Sequence, residues 1–204
     1  MFIVRCGMVL MKDTDSRQVL VVYNQDPADY RAVLAAYEKK DADWVLAFSG
    51  ASVPVTIGRN GFTPLEQKIE GDGKTPIGIF PLGIAFGYSA AADTGLDYRQ
   101  STAQDYWVDD SVSPQYNTWV SGAPAAQSFE KMLREDHLYR YGIVIEYNTR
   151  PVIAGKGSAI FIHLWRDPSS PTAGCVAMAE ADMMKLLRWL DKNNKPQIIL
   201  GYPG

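Results

Sequence analysis

Short apolar segments separated by turn residues dominate this chain, and most of them are too short to be helices. They lie at 18–23, 44–48, 53–57, 77–82, 143–147, 159–164 and 197–200. Their composition is rich in β-branched and aromatic residues, which favour strands. Gly, Pro, Asn and Asp separate them, and Asn60-Gly61 is a typical turn dipeptide. The pattern predicts a mainly β domain, in which 44–48 and 53–57 form a hairpin across 49–52.

Helical periodicity is found in three places and predicts about three short helices. In the first, Tyr30, Val33, Leu34 and Tyr37 recur at helical spacing behind Asp26-Pro27, and the helix is expected to end near 39–40. The second is predicted at 124–134, with Phe129, Met132 and Leu133 on one face and a Glu130–Arg134 pair. The third carries the apolar stripe Met183, Leu186, Leu187 and Leu190, with acidic residues early and basic residues late.

Composition narrows the class of protein. The chain has 204 residues, of which 47% are hydrophobic and 21% charged, which is typical of a globular protein and favours one domain over 1–204. The net charge is −3 and no basic cluster is present, which argues against nucleic-acid binding. No apolar run has the length of a membrane span. The apolar start is interrupted by Arg5 and has no clear cleavage site, so we interpret it as a leading strand and not as a signal peptide.

Candidate chemistry is concentrated in 160–178, IFIHLWRDPSSPTAGCVAM, which places His163 twelve positions before Cys175. A cysteine becomes nucleophilic when a base makes its thiolate, and imidazole is the usual base. On a strand at 159–164, His163 shares a face with Phe161 and Trp165, while Ile160, Ile162 and Leu164 face the other way. Gly174 allows close approach to the backbone, so the N–H groups of Gly174 and Cys175 are candidates for stabilising an oxyanion.

Two structural interpretations compete with this one. A histidine on an apolar strand is often a core residue, and a lone cysteine is often a small buried apolar residue. The cysteines, Cys6 and Cys175, are too few for a disulfide framework, so a free Cys175 thiol is expected. A zinc hydrolase is disfavoured because the chain has only two His and two Cys without a close ligand pair. No metal or other cofactor is expected.

A second motif lies upstream, GDGKTPIGIF at 71–80. Its Gly-Lys-Thr step is similar to a phosphate-binding loop, but Lys68 stands where the first glycine of that loop is required. Pro76 would also disturb the helix that must follow. The stretch is therefore interpreted as a turn that leads into the strand at 77–82, without a catalytic role for Lys74.

Together, 71–80 and 160–178 resemble the L,D-transpeptidase catalytic domain of the YkuD type, and the resemblance extends over about 19–200. It implies a β-sandwich with an inserted helix near the N-terminus. By position it implies that Cys175 is the nucleophile, His163 the base, Gly174 the glycine before the nucleophile, and Thr172 the residue that opens the signature. Ala173 replaces the usual second histidine, Ala177 replaces a frequent arginine or asparagine, and the spacer is shorter. Arg166 is the candidate for the missing cation, and Trp165 and Thr172 are further candidates for substrate binding.

The resemblance implies a cysteine-dependent acyltransferase that acts on peptidoglycan stem peptides in the periplasm or cell envelope. Whether an amine or water resolves the acyl-enzyme stays open, so a hydrolytic carboxypeptidase or amidase is an alternative. A wall-binding domain without catalysis is the other alternative, favoured by Ala173 and Ala177 and opposed by His163 and Cys175. The oligomeric state is left open.

Overall fold

The computed structural model describes residues 14–48 and 52–201, and within these residues strands predominate over helices. The strands are β1 Gln18–Tyr23, β2 Arg31–Lys40, β3 Asp43–Leu46, β4 Val53–Thr56, β5 Phe62–Thr63, β6 Thr75–Pro76, β7 Gly78–Gly87, β8 Tyr98–Gln100, β9 Asp105–Val108, β10 Trp119–Ser121, β11 Phe129–Lys131, β12 Tyr141–Ile145, β13 Phe161–Leu164, β14 Val176–Met178 and β15 Gln197–Leu200. One α-helix, α1 Glu180–Trp189, and two 3₁₀ turns, Leu65–Gln67 and Lys192–Asn194, complete the described elements.

The main sheet closes on itself. Its strand order is β1-β15-β7-β12-β13-β14-β4-β2-β3, with β8 beside β7, and β1 also pairs with β2. The closed sheet therefore surrounds a common apolar core, which includes Leu20, Ile57, Ile143, Ile162 and Ile198, each fully buried. The predicted mainly β fold is confirmed, and the arrangement is consistent with a β-sandwich.

Helix α1 confirms the third predicted helix. Met183, Leu186 and Leu187 are buried against the core, as their spacing requires. Glu180 and Asp182 lie in the first turn and Arg188 in the last, an order that suits the helix dipole. The helix follows β14 directly and packs against the main core.

The helix predicted near the N-terminus is wrong, because 31–40 form strand β2. The apolar residues of this segment fit the spacing of a helix and also that of a strand. In the structure, Ala32, Leu34 and Ala36 alternate toward the main core, while Tyr37 packs with a smaller cluster on the opposite face. Strands β1, β3 and β4 all pair with β2, so its backbone is hydrogen-bonded along both edges. Tertiary pairing thus overrides helix propensity. Asp26 forms a turn instead of a helix cap, accepting a hydrogen bond from Ala28 N at 2.9 Å.

The helix predicted at 124–134 is also wrong. Strand β11 pairs with β9, with Phe129 opposite Val108 and Lys131 opposite Tyr106. Together with β10 it forms a separate three-stranded sheet. The alternation along β11 directs Glu130 away from Phe129 and Lys131, toward the candidate site.

The predicted hairpin of 44–48 with 53–57 is replaced by a different pairing. Strands β3 and β4 are both antiparallel to β2, one opposite 37–40 and the other opposite 31–34. They therefore follow one another along the same side of β2 instead of pairing together. The turn at Asn60-Gly61 is confirmed by the bond from Gly61 N to Gly58 O at 2.8 Å.

No helix in 14–48 or 52–201 has the length and apolar character needed to cross a membrane. The apolar segment at the start of the chain and Cys6 lie outside the described residues.

Candidate active site

Strands β13 and β14 bring the histidine and the cysteine to one cleft. They pair in parallel, with Ile162 opposite Val176 and His163 opposite Ala177, so Cys175 lies one step before β14, on the same side as His163. Both side chains line a cleft of about 390 Å³. The six residues singled out from the sequence all line this cleft: His163, Trp165, Arg166, Thr172, Gly174 and Cys175.

The turn before Cys175 is fixed by two threonines. Thr172 Oγ1 donates to Cys175 O at 2.7 Å and accepts from Gly174 N at 3.0 Å. From the upstream motif, Thr75 Oγ1 donates to Gly174 O at 2.8 Å. The motif at 71–80 thus supports the turn at 172–175 across 99 positions of the chain. The Gly174 N–H predicted to face an oxyanion is engaged inside the turn in this state.

Glycine is required at position 174 by its backbone. Its φ is +150°, a region that L side chains rarely adopt. A Cβ here would lie 3.0 Å from Lys74 O and 3.1 Å from Ile160 Cδ1. Any larger residue would push the turn away from the upstream motif.

The Cys175 thiol is a free thiol, buried and directed at the backbone of the neighbouring segment. Its Sγ donates to Ala159 O at 3.1 Å and accepts from Phe161 N at 3.4 Å. Burial, reinforced by the negative charge of Glu130, raises the thiol pKa to about 12. The Phe161 N–H and the charges of Arg134 and Lys68 act in the opposite direction. The resting group at neutral pH is therefore a thiol and not a thiolate.

The imidazole of His163 is held in one tautomer. Its Nδ1 lies 2.8 Å from Leu164 O, and because a carbonyl can only accept, Nδ1 carries the proton. Nε2 is left as a base. Tyr139 packs edge-on against the imidazole at 5.2 Å between ring centroids. Burial lowers the His163 pKa to about 4, so the ring is neutral at physiological pH.

The opposite wall of the cleft is made of polar residues that the sequence analysis missed. Lys68 Nζ pairs with Asp72 Oδ1 at 2.8 Å, with both side chains buried. Glu70 accepts hydrogen bonds from Tyr116 and, at 2.8 Å, from Ser158 Oγ. These residues come from distant segments, so no local spacing marks them. Only Glu70 and Asp72, which adjoin or belong to the recognised motif, carry a signal that could have been followed.

Glu130 and Tyr139 connect this wall to the catalytic candidates. The Tyr139 hydroxyl donates to Glu130 Oε2, and both residues line the cleft. Burial raises the pKa of the Glu130 carboxyl, and the nearby charges of Asp109 and Glu70 act in the same direction. The Tyr139 ring also contacts Phe161 and Phe86 edge-on, which fixes its position.

Two arginines meet one carboxylate at the mouth of the cleft. Arg134 makes two hydrogen bonds to Asp136, at 2.9 and 2.7 Å, and these lower the Asp136 pKa to about 2. Arg166 lies 3.9 Å from the same carboxylate and is 69% exposed. Ala173 is exposed beside them, so the position of the usual second histidine opens to solvent.

Among the described residues, no three His, Cys, Asp or Glu side chains are placed to hold a metal ion. The donor set at Cys175 and His163 suits acid–base and nucleophilic chemistry carried by the side chains themselves.

Comparisons with known proteins identify a family. The sequence matches no curated protein. Among solved structures, the chain is similar to the helical cell shape determining protein Pgp2 from Campylobacter jejuni, at 17% identity and a TM-score of 0.45. The match covers 96% of this chain and 54% of that one, so this chain spans about half its length. The family model of the L,D-transpeptidase catalytic domain, YkuD, matches residues 15–199, and the chain belongs to that family.

Proposed function

We propose that the protein is a cysteine-dependent L,D-transpeptidase that acts on peptidoglycan stem peptides at the cell envelope. The observation that carries the proposal is the parallel pairing of β13 with β14, which sets Cys175 and a neutral, singly oriented His163 on one face of one cleft. Family membership supports the reaction class.

The chemistry follows from the ionisation states of the two groups. With the thiol pKa raised and the imidazole pKa lowered, the resting pair is neutral, so His163 Nε2 takes the thiol proton as the sulfur attacks. A C–S bond forms at the peptide carbonyl, next to a D-centre, and the C–N bond breaks. The departing amine receives the proton from the imidazolium, which leaves a thioester on Cys175.

An acceptor amine then attacks the thioester, gives its proton to His163, and expels the sulfur, which takes that proton back. Water in place of the amine would give hydrolysis. The cleft is open at Ala173 and Arg166, and we propose that the Arg166 guanidinium binds a substrate carboxylate there, with Trp165 and Thr172 in the adjoining wall.

Gly174 is proposed to act through its backbone. Its N–H donates to Thr172 Oγ1 in the resting state, so service as an oxyanion donor requires that this bond open when the tetrahedral centre forms. Glycine suits this position because its φ is +150° and because a Cβ would lie 3.0 Å from Lys74 O.

Covalent trapping tests the proposal directly. Incubation with a stem-peptide donor or a carbapenem, followed by peptide mass spectrometry, is expected to show an adduct on Cys175. Cys175→Ala should abolish the adduct and His163→Gln should slow it strongly, while the exposed-site variant His137→Gln should react as the parent does. Absence of a Cys175 adduct would support a wall-binding domain instead.

A further assay separates transfer from hydrolysis. Adding an amine acceptor to the trapped thioester is expected to yield a cross-linked product in place of the free acid. Arg166→Ala should raise KM for the donor with little change in kcat. Parent-like kinetics in that variant would remove Arg166 from substrate binding.

A further inference from the structure

The Cys175 thiol donates its proton to a backbone carbonyl. Ala159 O accepts from Sγ at 3.1 Å, in a fully buried contact. The direction of that carbonyl depends on the backbone of Ala159, whose φ is +53°. A residue with a Cβ is disfavoured in this left-handed region, so surrounding structure must impose the conformation.

The side chain of Asn117 is hydrogen-bonded to the backbone of Ala159. Asn117 Oδ1 accepts from Ala159 N at 3.1 Å and from Trp107 Nε1 at 2.9 Å. Its Nδ2 donates to Tyr147 O at 3.1 Å and to Asn148 O at 2.7 Å. The amide orientation is fixed by this set, because the flipped amide would face two donors with its NH₂ and two acceptors with its oxygen.

Burial makes this amide a rigid anchor. Asn117 is 3% exposed, and an unsatisfied amide in such a place would be strongly unfavourable. Its own φ of +55° is one that asparagine tolerates better than most residues. Asn117 lies between β9 and β10, and therefore connects the three-stranded sheet with the segment that enters β13.

We propose that Asn117 is a positioning residue for the Cys175 thiol, acting through the backbone of Ala159, whose N–H bonds Asn117 and whose carbonyl accepts from the thiol. By fixing the Ala159 carbonyl, it sets the direction of the S–H bond and favours the protonated thiol until substrate displaces that contact. The inference rests on the proposed function in taking Cys175 as the nucleophile. It adds a residue that neither lines the cleft nor bonds the thiol.

The charged and titratable groups around the Cys175 thiol are separate from the Asn117–Ala159 hydrogen bond. Glu130 and Tyr139 face the sulfur from β11 and from the segment before β12, while Arg134 and Lys68 act from the two loops. His163 lies two positions along β13 from Phe161. A variant at Asn117 substitutes none of these five residues, so a change in thiol ionisation is expected to report the Ala159 contact.

The test measures alkylation of Cys175 by iodoacetamide across a pH series, read on the Cys175 peptide by mass spectrometry. Asn117→Gly removes the side chain and suits the positive φ at that position. A hydrogen bond to the neutral thiol is lost, so alkylation at neutral pH should become about three- to tenfold faster. In the acyl-transfer assay kcat should fall, with KM changed by less than about twofold, because positioning and not binding is lost.

Rescue distinguishes positioning from general support. Ala159→Gly allows φ +53° without a Cβ, so the double variant Asn117→Gly, Ala159→Gly should return alkylation and kcat toward the parent values. Gln18→Ala is the matched control, since Gln18 is a buried amide that bonds Trp189 O and Asp191 N far from the cleft. It should lower the urea midpoint without changing the alkylation profile.

Three results would overturn the proposal: a parent-like alkylation profile in folded Asn117→Gly, no rescue in the double variant, or an equal change in Gln18→Ala. Asn117→Ser, which keeps a shorter polar side chain, replaces the glycine variant if the latter does not fold. Alkylation of Cys175 needs no turnover. If the parent protein formed no acyl adduct, the proposed reaction would be contradicted, but the alkylation rates of the variants could still be interpreted.

Discussion

The cleft has two walls of different origin. The local wall consists of 163–165 and 172–175 and holds the groups proposed to react. The remote wall consists of Lys68, Glu70, Glu130 and Tyr139, which long-range pairing brings together, and Asn117 bonds the backbone of Ala159 from outside the cleft. Its groups are bonded to partners of their own, and their charges act on the Cys175 thiol in opposite directions, since Glu130 raises the thiol pKa and Lys68 lowers it. The comparison teaches that the residues proposed to react are placed by local chain geometry, while residues elsewhere in the fold contribute to the electrostatic environment of Cys175.

Removing one member of the buried ion pair should give the largest loss of stability. Asp72→Ala leaves the Lys68 ammonium buried without its carboxylate and deletes the bonds from Ile69 N and Lys74 N. Breaking a buried pair from one side typically costs about 3–5 kcal/mol. Urea unfolding should show this as a lower midpoint with an unchanged m value.

An exposed ion pair provides the control. Asp93→Ala breaks the pair with Arg188, whose members are 83% and 54% exposed, and should lower the free energy of unfolding by less than about 1 kcal/mol. Equal losses for the two variants would mean that burial does not raise the cost of breaking the Lys68–Asp72 pair.

Burial of His163 in the local wall should make the free energy of unfolding depend on pH. The His163 pKa is about 4 in the folded protein, against 6.5 for an exposed histidine, so between these pH values the unfolded chain binds the additional proton. Stability is fully present above pH 6.5 and falls as pH decreases toward about 4. The total loss from one group would be at most about 3 kcal/mol. Asp136, with a pKa of about 2, contributes only at lower pH.

Urea unfolding at a series of pH values checks this expectation. His163→Gln should flatten the slope between pH 6.5 and 4, whereas His137→Gln, at an exposed position, should retain it. A slope that persists in His163→Gln would assign the acid loss to other residues.

The sequence predicts the local wall better than the remote one for a physical reason. His163, Gly174 and Cys175 lie within one strand-loop-turn unit, so spacing and residue chemistry suffice to bring them to one cleft. The helix prediction for 31–40 fails because its apolar pattern fits both periods, and only pairing with β1, β3 and β4 decides between them. Glu130 lies in a segment whose pattern predicts a helix, so its approach to Tyr139 and Cys175 is not foreseeable. Long-range register, which local patterns do not encode, places Asn117 and Lys68.

The smallest effect is expected from removing the hydrogen bond between Thr75 and the turn at 172–175, with Thr63 as a control. Thr75 Oγ1 bonds Gly174 O at 2.8 Å and accepts from Gly58 N at 2.9 Å, in a fully buried position. Thr63, on the neighbouring strand β5, is equally buried, but its hydroxyl has no hydrogen-bond partner within the described part of the chain. Thr75→Val should therefore lower the free energy of unfolding by about 1–3 kcal/mol. It should also slow acylation of Cys175, because the turn at 172–175 loses the hydrogen bond to Gly174 O. Thr63→Val, the same change of shape, should be neutral or stabilising, since it removes an unsatisfied polar group. Both variants should be compared by urea unfolding and by the rate of adduct formation on Cys175. Equal behaviour of the two variants would contradict a supporting role for the Thr75–Gly174 bond.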